Sequence, residues 1–244
     1  MVLSRLELED IGTAVIRDFR QSFCGNIGCF VKKDAIATPI DQFASQYLGL
    51  HVSYTRLSSD GSLCGLTAYT DTEYQIREMG VVRNIPLKRN QVLLDSGFIS
   101  PGGIRKSSGR RRFTLAHECA HQILFQLETD VQKSTCVKQY SGRTAYSLRD
   151  LKDREDWNEW QANVLGSAIL MPQQEVTCFM QRLVGDRKLK KYRGIFPNND
   201  KVTLLMFCHT FDVSKSAAII RLKTLDYIED HHRSEYDDPL EILA

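Results

Sequence analysis

The sequence lacks an excess of charge, a long apolar run and a regular cysteine pattern. Its 32 Lys and Arg residues against 30 Asp and Glu residues leave a formal net charge of +2, so no overall field indicates nucleic-acid binding. No apolar run approaches the roughly eighteen residues of a membrane-spanning helix. The first twelve residues include three acidic ones and lack the apolar core of a secretory signal. The seven irregularly spaced cysteines are typical of reduced thiols, so we expect a cytoplasmic location.

What remains is an ordinary globular composition. Hydrophobic residues make up 42% and charged residues 25% of the 244 residues, which excludes a disordered or collagen-like chain. A chain of this length buries about 70–75% of the surface that it exposes when unfolded. We therefore expect one full-sized domain, alone or with a small appendage.

Apolar side chains at helical spacing alternate with short β-prone runs along the chain. Ser4 and Glu7 have the spacing of a capping box, and Thr38 is a predicted N-cap for a second helix, which Gly49 ends. The predicted helices cover 3–23, 38–49, 107–126 and 153–171, and a helix pair covers 201–228. The predicted strands cover 50–54, 63–69, 74–82 and 91–95. This order predicts an α+β fold in which helices pack on a small antiparallel sheet.

The clearest chemical motif is the H-E-x-x-H segment from His117 to His121. Residues four apart lie about 40° apart around a helix axis, so both imidazoles can bind one metal ion. Glu118 lies about 100° from His117, beside the metal, where it can accept a proton from a water that the metal activates. Cys119 lies about 200° away and is a poor ligand candidate.

A catalytic zinc ion takes three protein ligands, so a third must come from elsewhere. Some H-E-x-x-H sites take a further histidine six residues after the second one. That arrangement is excluded here, because the residue six positions after His121 is Leu127. The other histidines are in poor contexts for a ligand: His51, His209, His231 and His232. Glu159 lies on a later predicted helix, with the small residues Ala162 and Gly166 on its face. Spacing alone favours the interpretation of Glu159 as one solvated acidic residue among Asp153, Glu155 and Asp156.

Two motifs and two flanking segments resemble the ImmA/IrrE family of metallo-endopeptidases. The motifs are RRRFTLAHECAH over 110–121 and EWQANVLGSAILMP over 159–172. The flanks are Pro-Ile-Asp over 39–41, and Phe-Asp-Val-Ser over 211–214 followed by Arg-Leu at 221–222. The resemblance spans roughly 38–228 and departs only in the small pair Cys119-Ala120. It implies that His117, His121 and Glu159 are zinc ligands and that Glu118 is the general base.

The resemblance also implies a function. A zinc-dependent endopeptidase would make limited cuts in a protein partner, a helix-turn-helix transcriptional repressor. No fused helix-turn-helix domain precedes the motifs, so the repressor is expected to be a separate protein. The implied organisation is a zinc metallopeptidase domain over 1–200, a helix-turn-helix-like subdomain over 201–230 and an acidic tail over 231–244. The alternative is a non-proteolytic, zinc-stabilised regulator that binds DNA or a repressor, although such a protein has no use for Glu118 as a base.

The helix pair is weak evidence for DNA binding. Ser214 is the predicted N-cap of its second helix, which offers Lys215, Arg221 and Lys223 around an apolar stretch. A packed structural subdomain is the favoured interpretation, and direct nucleic-acid and membrane binding are not expected.

Several other features support only weak hypotheses. Candidates for stabilising the oxyanion are Tyr140, Tyr146 and His209. The strand over 91–95 is the predicted edge strand for an extended substrate. Basic clusters over 105–112 and 182–193 are read as solvated surfaces rather than as guides for an acidic substrate. Cys24 and Cys29 have only a weak metal or redox spacing.

Overall fold

The computed structural model describes residues 2–24, 37–58, 61–78, 81–99, 104–128 and 154–235. These residues form a mixed α+β fold, as the sequence predicts. The helices are α1 (Arg5–Cys24), α2 (Ile40–Gln42), α3 (Ile104–Leu127), α4 (Arg154–Leu170), α5 (Gln173–Val184), α6 (Asn198–Phe211) and α7 (Lys215–Thr224). The strands are β1 (His51–Thr55), β2 (Gly65–Ala68), β3 (Thr72–Glu78), β4 (Val81–Leu87), β5 (Gln91–Asp95), β6 (Leu189–Tyr192) and β7 (Ile228–His231). Short 3-10 turns cover Ser96–Ile99 and Arg233–Glu235.

The sheets differ from the single antiparallel sheet that was expected. One sheet has the order β1-β5-β2, in which β5 runs parallel to β1 and antiparallel to β2. The run predicted as one strand over 74–82 is part of a hairpin, because β3 and β4 pair with each other in an antiparallel ladder. The last two strands, β6 and β7, form a separate parallel pair.

The prediction that 91–95 is an edge strand is wrong. Strand β5 lies between two partners, and Val92, Leu93 and Leu94 are all buried. Consecutive apolar residues are typical of a strand that is covered on both faces. Val92 and Leu94 join the main core with the helices, whereas Leu93 joins a second cluster that includes Leu87 of the hairpin.

The two first helices begin in different ways. Ser4 and Glu7 form the predicted capping box, because Ser4 N donates to Glu7 Oε2 at 2.7 Å and Glu7 N donates to Ser4 Oγ at 3.3 Å. Thr38 does not cap α2, since its hydroxyl donates to the Ile169 carbonyl at 2.7 Å and Pro39 occupies the N-cap position. Helix α2 continues as a π-helix over Phe43–Tyr47. Gly49, with φ of +65°, follows its end.

The C-terminal helices share the main core with the rest of the chain. Phe207, Phe211 and Leu222 belong to the same buried cluster as residues of α1 and α3. Ser214 caps α7 as predicted, accepting a hydrogen bond from Ala217 N at 3.2 Å. The predicted helix pair ends earlier than expected, at Thr224, because the chain then forms β7. Among the described residues, no helix is both long and apolar enough to span a membrane.

Candidate metal centre

Two helices bring the candidate ligands together. His117 and His121 lie on α3, and Glu159 lies on α4. The helices approach closely at Gly166, where a Cβ would lie 3.1 Å from His117 N and 3.2 Å from the Ala116 carbonyl carbon. A glycine on α4 therefore sets the helix spacing that lets a carboxylate reach the histidines, as the pattern of small residues predicts.

The three side chains converge on one point. The Nε2 atoms of His117 and His121 are 3.1 Å apart. Each is also 3.2 Å from one carboxylate oxygen of Glu159. Atoms bound about 2.0 Å from a tetrahedral zinc ion are about 3.3 Å apart. The observed separations therefore fit a metal of this size, and the group is one that could hold a metal ion.

The protonation chemistry of this cluster also suits a metal. His117, His121 and Glu159 are all buried. Burial raises the pKa of Glu159, but hydrogen bonds with His117 and His121 outweigh it and lower the pKa to about 2. The carboxylate is therefore ionised at neutral pH. An anionic oxygen beside two imidazoles is a donor set that zinc accepts.

Glu118 lies on the side of α3 that faces the sheet. Its side chain is fully buried, and a Cβ at Gly65 of β2 would lie only 2.9 Å from Glu118 Oε1. Glu118 is not one of the three clustered ligands, and its place beside the metal stays a prediction. Cys119 lies in the apolar core, where burial raises the pKa of its thiol well above the ordinary value.

Sequence reasoning missed two residues next to this cluster. Gln122 follows His121 and is buried, and its Nε2 donates to Thr67 Oγ1 at 2.6 Å and to the Ala68 carbonyl at 3.1 Å. It therefore fastens β2 to α3. Gly65 allows the same strand to lie against Glu118. Gln122 lies between Glu118 and Gln126 at i±4 on one polar row of α3, so nothing local in the sequence distinguished it, and nothing local indicated Gly65.

A family model matches the part of the chain that contains these helices. Residues 104–223, from the start of α3 into α7, match the Peptidase_M78 family, described as the IrrE N-terminal-like domain. The chain therefore contains an M78 metallopeptidase domain over these residues. This confirms the family that the sequence motifs resemble. No curated protein sequence matches the chain significantly.

Two residues of the first basic cluster of the M78 domain, Arg111 and Arg112, tie elements together and are not simply solvated. Arg111 binds both carboxylate oxygens of Asp41 at 2.7 Å. Arg112 is buried and donates to the Thr38 carbonyl at 2.8 Å and to the Asp212 carbonyl at 2.9 Å. These arginines hold the first half of α3 against α2 and against the turn between α6 and α7. They are therefore engaged within the fold.

The second basic cluster of the M78 domain is a solvated surface, as predicted, because Arg182, Lys190 and Arg193 are exposed, and two further exposed residues form ion pairs. Arg187 binds Asp200 at 2.6 Å, and Lys188 binds Asp226 at 2.6 Å. The remaining weak candidates gain nothing from the structure. His209 is exposed on α6, while Tyr140, Tyr146 and Cys29 lie outside the described residues and the side chain of Cys24 is not described either.

The basic residues that were predicted on α7 are partly engaged by other residues of the chain. Arg221 is buried in an ion pair with Glu9, and it also donates to the Met171 carbonyl at 2.9 Å. Lys223 pairs with Asp230. Of the three basic residues predicted on this helix, two are thus held by partners inside the chain.

Proposed function

We propose that this protein is a zinc-dependent endopeptidase that makes limited cuts in a partner protein. The observation that carries the proposal is the buried cluster in which the Nε2 atoms of His117 and His121 and the Glu159 carboxylate lie 3.1–3.2 Å apart. Two neutral ligands and one anionic ligand leave a fourth tetrahedral position for chemistry. The proposed organisation remains a peptidase domain over 1–200, a helix-turn-helix-like subdomain over 201–230 and an acidic tail over 231–244.

Each residue at the centre has a separate role in this proposal. His117, His121 and Glu159 hold the metal. Zinc, when bound, supplies a Lewis acid that polarises a peptide carbonyl and makes water more acidic. Glu118 accepts the proton of the attacking water and returns it to the leaving amine. Its burial against β2 suits this role, because a carboxylate shielded from bulk water transfers its proton to the reacting atoms rather than to solvent.

The proposed substrate is a separate helix-turn-helix repressor, encountered in the cytoplasm. The family supports a protein substrate, and the motifs' resemblance to ImmA/IrrE endopeptidases supports this class. Non-proteolytic binding of DNA by α7 is less well supported. The ion pairs of Arg221 with Glu9 and of Lys223 with Asp230 occupy charges that such a helix would direct to phosphates.

The test combines metal analysis with cleavage of the helix-turn-helix regulator that is encoded nearest to this protein. The zinc-loaded wild type, E118Q and the control E73Q are incubated with that regulator, and products are followed by mass spectrometry. Glu73 is an exposed residue of β3, so E73Q removes one carboxylate away from the centre. We expect cleavage by the wild type and E73Q and none by E118Q. Equal cleavage by E118Q, or no cleavage by a zinc-loaded wild type, contradicts the proposal.

A further inference from the structure

We infer that Gly65 is a positioning residue for the carboxylate of Glu118, which rests on the proposed function of Glu118 as the base. A Cβ at position 65 would lie 2.6 Å from Thr114 Cγ2, 2.9 Å from Glu118 Oε1 and 3.3 Å from Glu118 Cγ. The three nearest atoms to that missing methyl group therefore belong to the base itself and to a residue one helical turn before it. The absence of a side chain in β2 is what makes room for the base.

The requirement at this position is for space and not for an unusual backbone. The φ angle of Gly65 is outside the left-handed region that favours glycine, so alanine could adopt the same conformation. Glycine inside a strand weakens the strand, and it often marks a close approach of another group. In β2 the approaching group is a carboxylate on the helix that carries the metal-binding histidines.

The strand cannot simply move away to admit a methyl group. The Gln122 side chain binds Thr67 and Ala68 of β2. The strand is also paired with β5 over its whole length. Moving β2 away from α3 would break the bonds to Gln122 and disturb the pairing with β5.

Thr114 is also held in place. Its Oγ1 donates to the Arg110 carbonyl at 3.0 Å, and its branched side chain has few alternative rotamers in a helix. Of the two residues, Glu118 yields more easily, because its carboxylate is at the end of a longer side chain, whereas the contact of 2.6 Å with Thr114 Cγ2 is relieved only by a shift of the helix or by T114S. Starting at 2.9 Å, the Glu118 carboxylate must retreat by about 0.5 Å to reach ordinary van der Waals distance.

The experiment compares crystal structures, zinc content and turnover of the wild type and G65A. In G65A we expect one zinc ion per chain, unmoved ligands and a displaced Glu118 carboxylate. Because misplacement of a catalytic group by up to 1 Å can cost about 100-fold in rate, kcat on the regulator used above should fall by about 10- to 100-fold with little change in KM. T114S removes the tightest contact, so G65A/T114S provides a folded variant if G65A alone does not fold.

The outcomes separate this inference from the proposed function. A Glu118 carboxylate that stays in place in G65A or in G65A/T114S, or wild-type turnover by the double variant, overturns the positioning role. The crystallographic comparison decides this even without a cleavage assay. A wild type that binds zinc but cleaves nothing contradicts the proposed function instead.

Discussion

The spacing between α3 and α4, the two helices that carry the ligands, can be tested by adding one Cβ atom at Gly166. Gly166 of α4 faces the main chain of α3, and a Cβ there would lie 3.1 Å from His117 N and 3.2 Å from the Ala116 carbonyl carbon and oxygen. Ordinary contact needs about 3.4 Å or more, so G166A must separate the helices by about 0.2–0.3 Å. Main-chain atoms on α3 cannot rotate away, and Glu159 therefore moves with its helix, away from the histidines.

The expected result is a loss of metal affinity without a matching loss of stability. Alanine is a better helix former than glycine by about 1 kcal/mol, which offsets part of an overpacking cost of about 1–3 kcal/mol. Changes around a metal site typically weaken binding by about 10- to 100-fold. We expect about 10-fold weaker zinc binding in G166A, and a larger loss in G166V, in a titration against a competing chelator. Thermal unfolding of the metal-free protein measures stability separately.

Gly12 provides a matched control. It lies on α1, and a Cβ there would lie 2.8 Å from Ala168 Cβ on α4. G12A is therefore the same substitution at another tight helix contact of α4, away from the interface that holds the ligands. We expect G12A to reduce the free energy of unfolding while zinc affinity stays at the wild-type value. Wild-type affinity in G166A, or equal loss in both variants, would refute the argument that Gly166 sets the ligand geometry.

Two predictions concern ion pairs away from the metal centre. R221M leaves the buried Glu9 carboxylate without its partner, so urea denaturation should show a free energy of unfolding lower by about 3–5 kcal/mol. The double variant E9L/R221M removes the unpaired charge and should recover part of this lost stability. Equal losses in the two variants would show that an unpaired charge is not the cause. A hydrogen bond from Arg111 holds the pKa of Asp41 below its ordinary value despite burial. The pair therefore stabilises the fold at neutral pH. This stabilisation is lost as the pH falls from about 4, the ordinary pKa, through the lowered pKa. D41N should therefore flatten the acid side of the stability curve, and an unchanged slope in stability measured from pH 6 to pH 3 would show that the pair contributes little.

The local parts of the site were predictable because helical periodicity is a local property. The spacing of His117 and His121 on one helix indicates their convergence, and it also turns Cys119 away from them. The structure places Cys119 in the apolar core. The choice of Glu159 was different. Asp153, Glu155 and Asp156 precede it on the same segment, and spacing alone favoured a solvated acidic residue, so the choice depended on the family resemblance.

The parts that sequence reasoning missed depend on contacts between distant segments. Strand β5 pairs in parallel with β1, some 40 residues earlier in the chain, and no local pattern encodes that pairing. Thr38 resembles an N-cap, but its hydroxyl binds the carbonyl of Ile169 on α4. Arg112 belongs to a run of charged residues that is typical of a surface, yet its guanidinium binds carbonyls of two distant segments, at Thr38 and Asp212. In each case a tertiary contact overrides the local preference.

The metal content of the purified protein tests the central claim most directly. The wild type, E118Q and H121A are purified without chelators, and metal per chain is measured by mass spectrometry. If His117, His121 and Glu159 form the metal site, the wild type and E118Q carry one zinc ion per chain and H121A carries none. A wild type that takes up no zinc, or an H121A variant that binds it as tightly as the wild type, would contradict the assignment of this cluster as the metal centre.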